Sequence, residues 1–202
     1  MEIVETRKVT DRSGETEDLH SEITPEEGEF IASIIEGKGF NRTLEVGCAF
    51  GVSSLYICDA LSRSQSPRHC IIDPYQTTDW RSIGVDHLAR AGFNSYSLME
   101  EPSELALPRL LQANARFEFA LIDGWHTFDH TLLDFFYINR LLEDYGVVVF
   151  DDAHWPSVSK VVRYVLQYPN YVPLGQAGDG PSMVALQKTG PDERSWDWYE
   201  DF

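Results

Sequence analysis

The run Leu44-Glu45-Val46-Gly47-Cys48-Ala49-Phe50-Gly51 constrains this chain more than any other: a short apolar strand ends in glycines and leads straight into a helix-like segment. A strand that turns on glycine into a helix brings backbone close to a ligand at the carboxyl edge of the sheet, where open α/β folds bind. The dinucleotide fingerprint G-x-G-x-x-G is a poor match, because Val52 stands where a third glycine would let helix and strand pack tightly. The spacing matches G-x-G-x-G instead, with Ala49 in the middle.

The rest of the chain alternates in the same manner. Thr24 supplies an N-cap, Pro25 a first helical position, and Glu26 and Glu27 early acids, which predicts a helix to about residue 36 that stops at Gly37. Short apolar runs at 43–46, 70–72, 95–98, 119–122 and 147–150 read as strands. Helix-length segments lie between or after them, with apolar periodicity at 52–61, 128–142 and 158–168. This alternation predicts a parallel sheet with crossover helices. Runs at 171–174 and 183–187, around Gly178-Asp179-Gly180-Pro181, predict an antiparallel hairpin that closes the sheet. A chain of 202 residues suits one domain. That domain is expected at 21–189, between an acidic mobile arm (1–20) and an acidic tail (190–202) whose Trp196, Trp198, Tyr199 and Phe202 are expected to dock on the body or on a neighbouring subunit, with a solvated tail the alternative.

Charge narrows the partners. Sixteen Lys and Arg against 33 Asp and Glu leave a net charge of −17, which repels a phosphate backbone or an anionic membrane. The longest apolar runs fall far short of the ~20 residues that span a bilayer, and the N-terminus has no apolar signal region. Three cysteines without a C-x-x-C pair fit a reducing compartment. The expected setting is the cytoplasm and the expected partner a small molecule, with no nucleic acid and no membrane, and with a homo-oligomer as an open possibility.

Asp73 ends the run Ile71-Ile72-Asp73, and a carboxylate there can accept hydrogen bonds from both hydroxyls of a ribose. The bland alternative is a turn cap before Pro74. Together with the glycine turn, the acid favours an adenosyl ligand.

Here a resemblance becomes specific. The segment Thr24-Pro25-Glu26-Glu27-Gly28-Glu29-Phe30, the LEVGCAFGVSSL run, IIDPY, and LPRL at 107–110 resemble the S-adenosylmethionine-dependent O-methyltransferases of the catechol and caffeoyl-CoA type. The later LIDGWH and FDDAHW segments also resemble the macrocin-type sugar O-methyltransferases. The resemblance covers about residues 20 to 190. It implies a Rossmann-like, doubly wound seven-stranded sheet with strand order 3-2-1-4-5-7-6. It implies that Glu45, Gly47 and Gly51 line the methionine part of the cofactor, that Asp73 holds the ribose, and that Ser103, five residues before Pro108, contacts adenine. Ala49 departs from the family's middle glycine, and Asp123 is expected to border the cofactor as well.

Asp123 ends one predicted strand, and Asp151 and Asp152 end another. Three carboxylates at neighbouring strand ends repel one another unless each is solvated or a cation sits among them, and all-oxygen ligands favour Mg²⁺ or another hard divalent ion. The family resemblance places its metal ligands at the same three positions. The competing reading is helix and loop capping by Asp. His126, three residues after Asp123, stands where catechol-type enzymes carry a catalytic Lys and is a candidate base, as is Asp123 itself. His126, Asp129 and His130 also spell a spacing that could place two imidazoles on zinc. His154, Trp155, Trp125 and Trp80 are candidates for an acceptor pocket, with ordinary packing the alternative for each Trp. The expected function is a divalent-metal-assisted O-methyltransferase acting on paired oxygens of a catechol-like molecule or sugar diol. The alternatives are a non-catalytic adenosyl-binding regulator and a zinc hydrolase.

Overall fold

The computed structural model describes residues 2–202. The chain forms two compact units, Met1–Ser103 and Glu104–Phe202. The first carries α1 (Glu2–Thr6), β1 (Lys8–Thr10), β2 (Thr16–Asp18), α2 (Pro25–Lys38), β3 (Arg42–Val46), α3 (Val52–Leu61), β4 (Arg68–Ile72), α4 (Ile83–Arg90) and β5 (Tyr96–Met99). Then come α5 (Ser103–Gln112), β6 (Phe117–Ile122), α6 (Phe128–Leu141), β7 (Leu142–Phe150), α7 (Pro156–Val165), β8 (Tyr171–Ala177) and β9 (Met183–Lys188). The main sheet has seven strands in the order β5-β4-β3-β6-β7-β9-β8. Counted within this sheet, that is 3-2-1-4-5-7-6, as the resemblance implies. Among the described residues no helix is long and apolar enough to cross a membrane.

In the first unit β4 pairs in parallel with both β3 and β5. Leu44 and Ile71 are fully buried, as expected for strands covered on both faces. The entry to α2 is a reciprocal capping box: the Thr24 hydroxyl accepts from the Glu27 amide at 3.3 Å, and the Glu27 carboxylate accepts from the Thr24 amide at 2.7 Å. The helix continues to Lys38, two residues past the predicted end, because Gly37 stays helical and Gly39 takes the left-handed cap at φ 68°. Gly28 lets α2 approach α3, since a Cβ there would stand 2.3 Å from the Tyr56 ring.

The segment expected to be a mobile arm is built differently. Its two short strands pair antiparallel, with Val9 and Leu19 almost wholly buried. Arg81 donates to Asp11 at 2.8 Å, to Glu15 at 3.2 Å and to Glu17, and Arg12 donates to Asp86 at 2.6 Å. Acids that read as a solvated run therefore serve as acceptors for one arginine. Three-residue strands with one buried apolar side chain are too short to produce a periodic signal.

In the second unit β6 and β7 run parallel, β9 pairs antiparallel with β7, and β8 with β9. Lys188, almost completely buried, donates to the carbonyls of Asn139 and Leu142 at 2.9 Å and so satisfies the end of α6. The aromatic tail docks within this unit, as expected. The Arg194 guanidinium lies 3.4 Å from the Tyr168 ring centroid and 4.7 Å from that of Trp198, while Phe202 packs on Tyr164 at 4.7 Å. Trp196 and Tyr199 are the exceptions and are exposed.

Asp192 anchors this tail, accepting from Arg194 at 2.7 Å and from Asn139 at 2.9 Å. The Arg194 hydrogen bond holds the Asp192 carboxyl down at about 2. A folded value below the unfolded one means that this contribution is present above about pH 4 and is lost as pH falls toward 2. Asp192→Asn should flatten the stability-against-pH curve in that window and lower the melting temperature at pH 7. Parallel acid melting curves for parent and variant would contradict the role.

Candidate active site

Residues 47–51 connect β3 to α3. Gly47, Ala49 and Gly51 all have positive φ, at 87°, 47° and 80°. This every-second-residue pattern explains the G-x-G-x-G spacing, and Ala49 occupies the middle position at a cost of about 1 kcal/mol against glycine. The Asp73 carboxylate, 3% exposed at the end of β4, organises the turn. Its Oδ2 accepts from the amides of Cys48 at 3.1 Å and Ala49 at 2.9 Å and from Gln76 Nε2 at 3.0 Å, and Oδ1 accepts from the Tyr75 amide at 2.9 Å. Gln76 Nε2 also donates to the Ala49 carbonyl at 2.7 Å. The turn-cap reading of Asp73 is thus realised in part, with the cap reaching across to the glycine turn.

Close packing holds the far side. A Cβ on Gly51 would stand 2.7 Å from the Gly84 carbonyl oxygen, and one on Gly84 would stand 2.5 Å from the Ala49 carbonyl oxygen. His87 Nδ1 lies 2.8 Å from the Phe50 carbonyl oxygen. Burial pushes the His87 pKa down, favouring the neutral ring, whose Nδ1–H can donate there. Gln76, Gly84 and His87 were not singled out in the sequence. Trp80 packs edge-on against Phe50, with centroids 5.0 Å apart, and contacts His20 at 5.7 Å, so packing accounts for it. Cys48 is buried and its thiol is pushed well up by that burial and by Glu45, consistent with an apolar filler. Ser103 begins α5, partly exposed.

Glu45, fully buried in β3, accepts from the Ser54 hydroxyl, and its Oε2 lies 3.0 Å from His69 Nε2. Neither Ser54 nor His69 was foreseen, because isolated polar residues in apolar runs leave no periodic trace.

In the second unit Asp123 follows β6, and Asp151 and Asp152 follow β7. The register Ile122↔Phe150 and the bond from the Asp151 amide to the Ile122 carbonyl at 3.0 Å bring the strand ends level. Asp152 has φ 50°, uncommon for a residue with a side chain, at the start of a tight turn closed by the Trp155 amide on its carbonyl at 2.8 Å. His126 Nε2 stands 3.6 Å from Asp123 Oδ1 and 3.4 Å from Asp152 Oδ2, and is buried without a hydrogen-bond partner. Ser157 holds the His126 carbonyl, and the Trp155 ring lies 5.3 Å from the imidazole. Trp125 and Trp155 remain 59% and 45% exposed, available to a ligand. His154 Nδ1 lies 3.8 Å from Asp152 Oδ1.

Among the described residues no three His, Cys, Asp or Glu side chains are gathered so as to hold a metal ion. The zinc spacing is not realised on a helix, because His126 lies before α6, while the His130 ring bonds Thr127 at 2.7 Å and packs on Trp125 at 5.1 Å.

The doubly wound sheet with its antiparallel final hairpin and the glycine turn after its first strand defines a Rossmann-like α/β fold of the methyltransferase type. The profile of a family described as a methyltransferase domain matches residues 44–153, and the chain belongs to that family. No curated protein matches the chain in sequence. Among solved structures, an O-methyltransferase from Bacillus cereus in complex with SAH is similar at 17% identity and TM-score 0.69, over 83% of each chain. An O-methyltransferase of tomaymycin synthesis from Streptomyces achromogenes, in complex with SAM, is 19% identical with TM-score 0.70 over 84% of this chain and 82% of that one. A putative caffeoyl-CoA O-methyltransferase from Staphylococcus aureus is 18% identical with TM-score 0.67, over 84% and 86%.

The turn's geometry yields a paired expectation. Gly51→Ala meets the Gly84 backbone and should destabilise the fold by about 1 to 3 kcal/mol. Ala49→Gly relieves a left-handed alanine and should leave the melting temperature equal or higher. Calorimetric melting of both variants checks this, and equal effects would contradict the conformation assigned to the turn.

Proposed function

We propose that this methyltransferase uses S-adenosylmethionine and transfers the methyl group to a hydroxyl oxygen of a small molecule with paired oxygens, catechol-like or a sugar diol. The observation that carries the reading is the glycine turn tied to Asp73. Its left-handed residues 47, 49 and 51 suit close approach of a ligand to backbone, and the Asp73 carboxylate is held beside them. Asp73 Oδ1 accepts one described hydrogen bond, so a carboxylate's remaining acceptor capacity can serve a ribose hydroxyl. The SAM and SAH named in the Streptomyces and Bacillus structures support the same cofactor. In this reading Glu45, Gly47, Ala49 and Gly51 serve the methionine part, and Ser103 and Asp123 border the cofactor.

The chemistry needs little beyond orientation and a proton acceptor. The substrate oxygen attacks the methyl carbon, the C–S bond breaks, and the sulfonium becomes a neutral thioether, so in-line placement supplies much of the acceleration. His126 is the base. It stands between Asp123 and Asp152, and the imidazolium formed when it takes the hydroxyl proton is stabilised by both carboxylates. Asp123 and Asp152 thus act on the ring rather than as bases. Trp125 and Trp155 offer apolar faces to the acceptor. At a net charge of −17 the acceptor is a small molecule rather than a nucleic acid, and a cytoplasmic setting suits the cysteine usage.

A second reading adds Mg²⁺ on Asp123, Asp151 and Asp152, favoured by three carboxylates at the level ends of two paired strands. When bound, such an ion lowers the pKa of an acceptor hydroxyl. As they stand, these side chains are not gathered as a metal site, and no step is assigned to an ion.

Calorimetric titration with S-adenosylhomocysteine tests the cofactor. The parent should bind, and Asp73→Ala should bind about 10- to 100-fold more weakly, the worth of hydrogen bonds to a charged group. No binding by the parent contradicts the reading. With labelled S-adenosylmethionine and a panel of catechols and sugar diols, His126→Ala should lower turnover by about 10² to 10⁴ while S-adenosylhomocysteine affinity holds. Unchanged turnover removes His126 as base. Full turnover in excess EDTA removes the Mg²⁺ reading alone, whereas loss of turnover that Mg²⁺ restores supports it.

A further inference from the structure

Beneath the glycine turn lies a polar network that the proposed chemistry does not use. Thr43 and Glu45 on β3 and His69 on β4 share one side of the parallel pair, in the register Thr43↔His69 and Glu45↔Ile71. The side chains of Glu45 and His69 are completely buried, and Thr43 and Ser54 are 0% exposed. A carboxylate so placed is unfavourable unless its oxygens find donors. Oε2 finds two, the Ser54 hydroxyl and His69 Nε2 at 3.0 Å. Oε1 has no hydrogen-bond partner. Such one-sided satisfaction is uncommon for a native carboxylate buried in a tight strand pair.

His69 Nε2 donates to Glu45 Oε2, and Nδ1 pairs with the Thr43 hydroxyl at 2.9 Å. The ring is therefore fixed at both nitrogens, and it fixes Glu45 Oε2. Ser54, from the first turn of α3, pins the same oxygen and lies 3.3 Å from Cys48 Sγ within the glycine turn. The whole arrangement fastens one oxygen of a carboxylate two residues before Gly47 and leaves the other short of a donor.

We infer that His69 is a positioning residue for the cofactor: it holds Glu45 through Oε2 so that Oε1 takes an ammonium donor from the ligand seated on the turn, directly or through one water. The inference rests on the adenosyl-cofactor reading. Of the groups on S-adenosylmethionine or S-adenosylhomocysteine, the amino-acid ammonium is the strong N–H donor that a carboxylate oxygen matches in charge. His69 itself touches no ligand. Its effect travels through Thr43 on one side and Glu45 on the other, and so should show in the recognition of one ligand group only.

The test is a calorimetric comparison of S-adenosylhomocysteine with its deamino analogue on the full chain. The parent should prefer the amine-bearing ligand by about 10-fold or more, the range for a hydrogen bond to a charged group. His69→Phe, which keeps a ring but removes both nitrogens, should lose most of that preference while binding the deamino analogue within about 3-fold of the parent. His69→Gln, which restores an N–H donor toward Glu45, should recover it. If His69→Phe fails to fold, Thr43→Val removes only the support of Nδ1 and should show a smaller loss confined to the amine-bearing ligand. Equal weakening toward both ligands, or an unchanged preference in a folded His69→Phe, overturns the inference. A parent that binds both ligands equally overturns it too, without touching the cofactor reading. A parent that binds neither brings down the cofactor reading itself.

Discussion

The Asp73 carboxylate is the constraint on which the glycine turn of the first unit depends. A turn with three left-handed residues out of five is not a conformation a free chain would keep, and although the Gly47 amide bonds the Ile72 carbonyl of β4, the next two amides need another acceptor. One buried carboxylate accepts from both and binds Gln76, which returns a bond to the turn's own carbonyl. Steric closeness then completes what hydrogen bonding begins. The Gly51–Gly84 approach leaves no room for a side chain on either glycine, so the turn is held between the end of β4 and the start of α4.

In the second unit the organising force is charge. Two carboxylates, Asp123 and Asp152, flank one imidazole in the loops after β6 and β7, and that imidazole nitrogen has no hydrogen-bond partner. The lysine buried under α6 and the arginine held between tail aromatics belong to a different class of interaction. They satisfy carbonyls and rings and serve stability alone.

What could be read from the sequence divides along physical lines. The strands that are buried on both faces, such as β3 and β4, announced themselves as apolar runs, and the glycine turn was visible because positive φ restricts residue choice. The first part of β7 was missed, since Glu143, Asp144, Tyr145 and Gly146 lack an apolar pattern and α6 passes into the strand at Leu142 without a break. The N-terminal hairpin was missed because its partner is Arg81, more than sixty residues away, and long-range ion pairing leaves no local trace. For the site, Asp73, Asp123, His126 and the Asp151–Asp152 pair were visible as polar residues at strand ends. Their bonding was not: repulsion among the acids and the family resemblance suggested a metal there, but nothing local revealed that His126 stands between two of them. His69, Gln76 and His87 could not be found at all, because each gains its meaning from a partner in another element.

The central claim is that Asp73 holds the glycine turn ready before any ligand arrives. Amide hydrogen exchange at Cys48 and Ala49, followed by NMR in the ligand-free protein and again with S-adenosylhomocysteine, tests it most directly. A turn preorganised by Asp73 predicts slow exchange of both amides without ligand, comparable to neighbouring amides of β3, and little change on binding. Rapid exchange at both positions in the free protein, slowed only by the ligand, would contradict it.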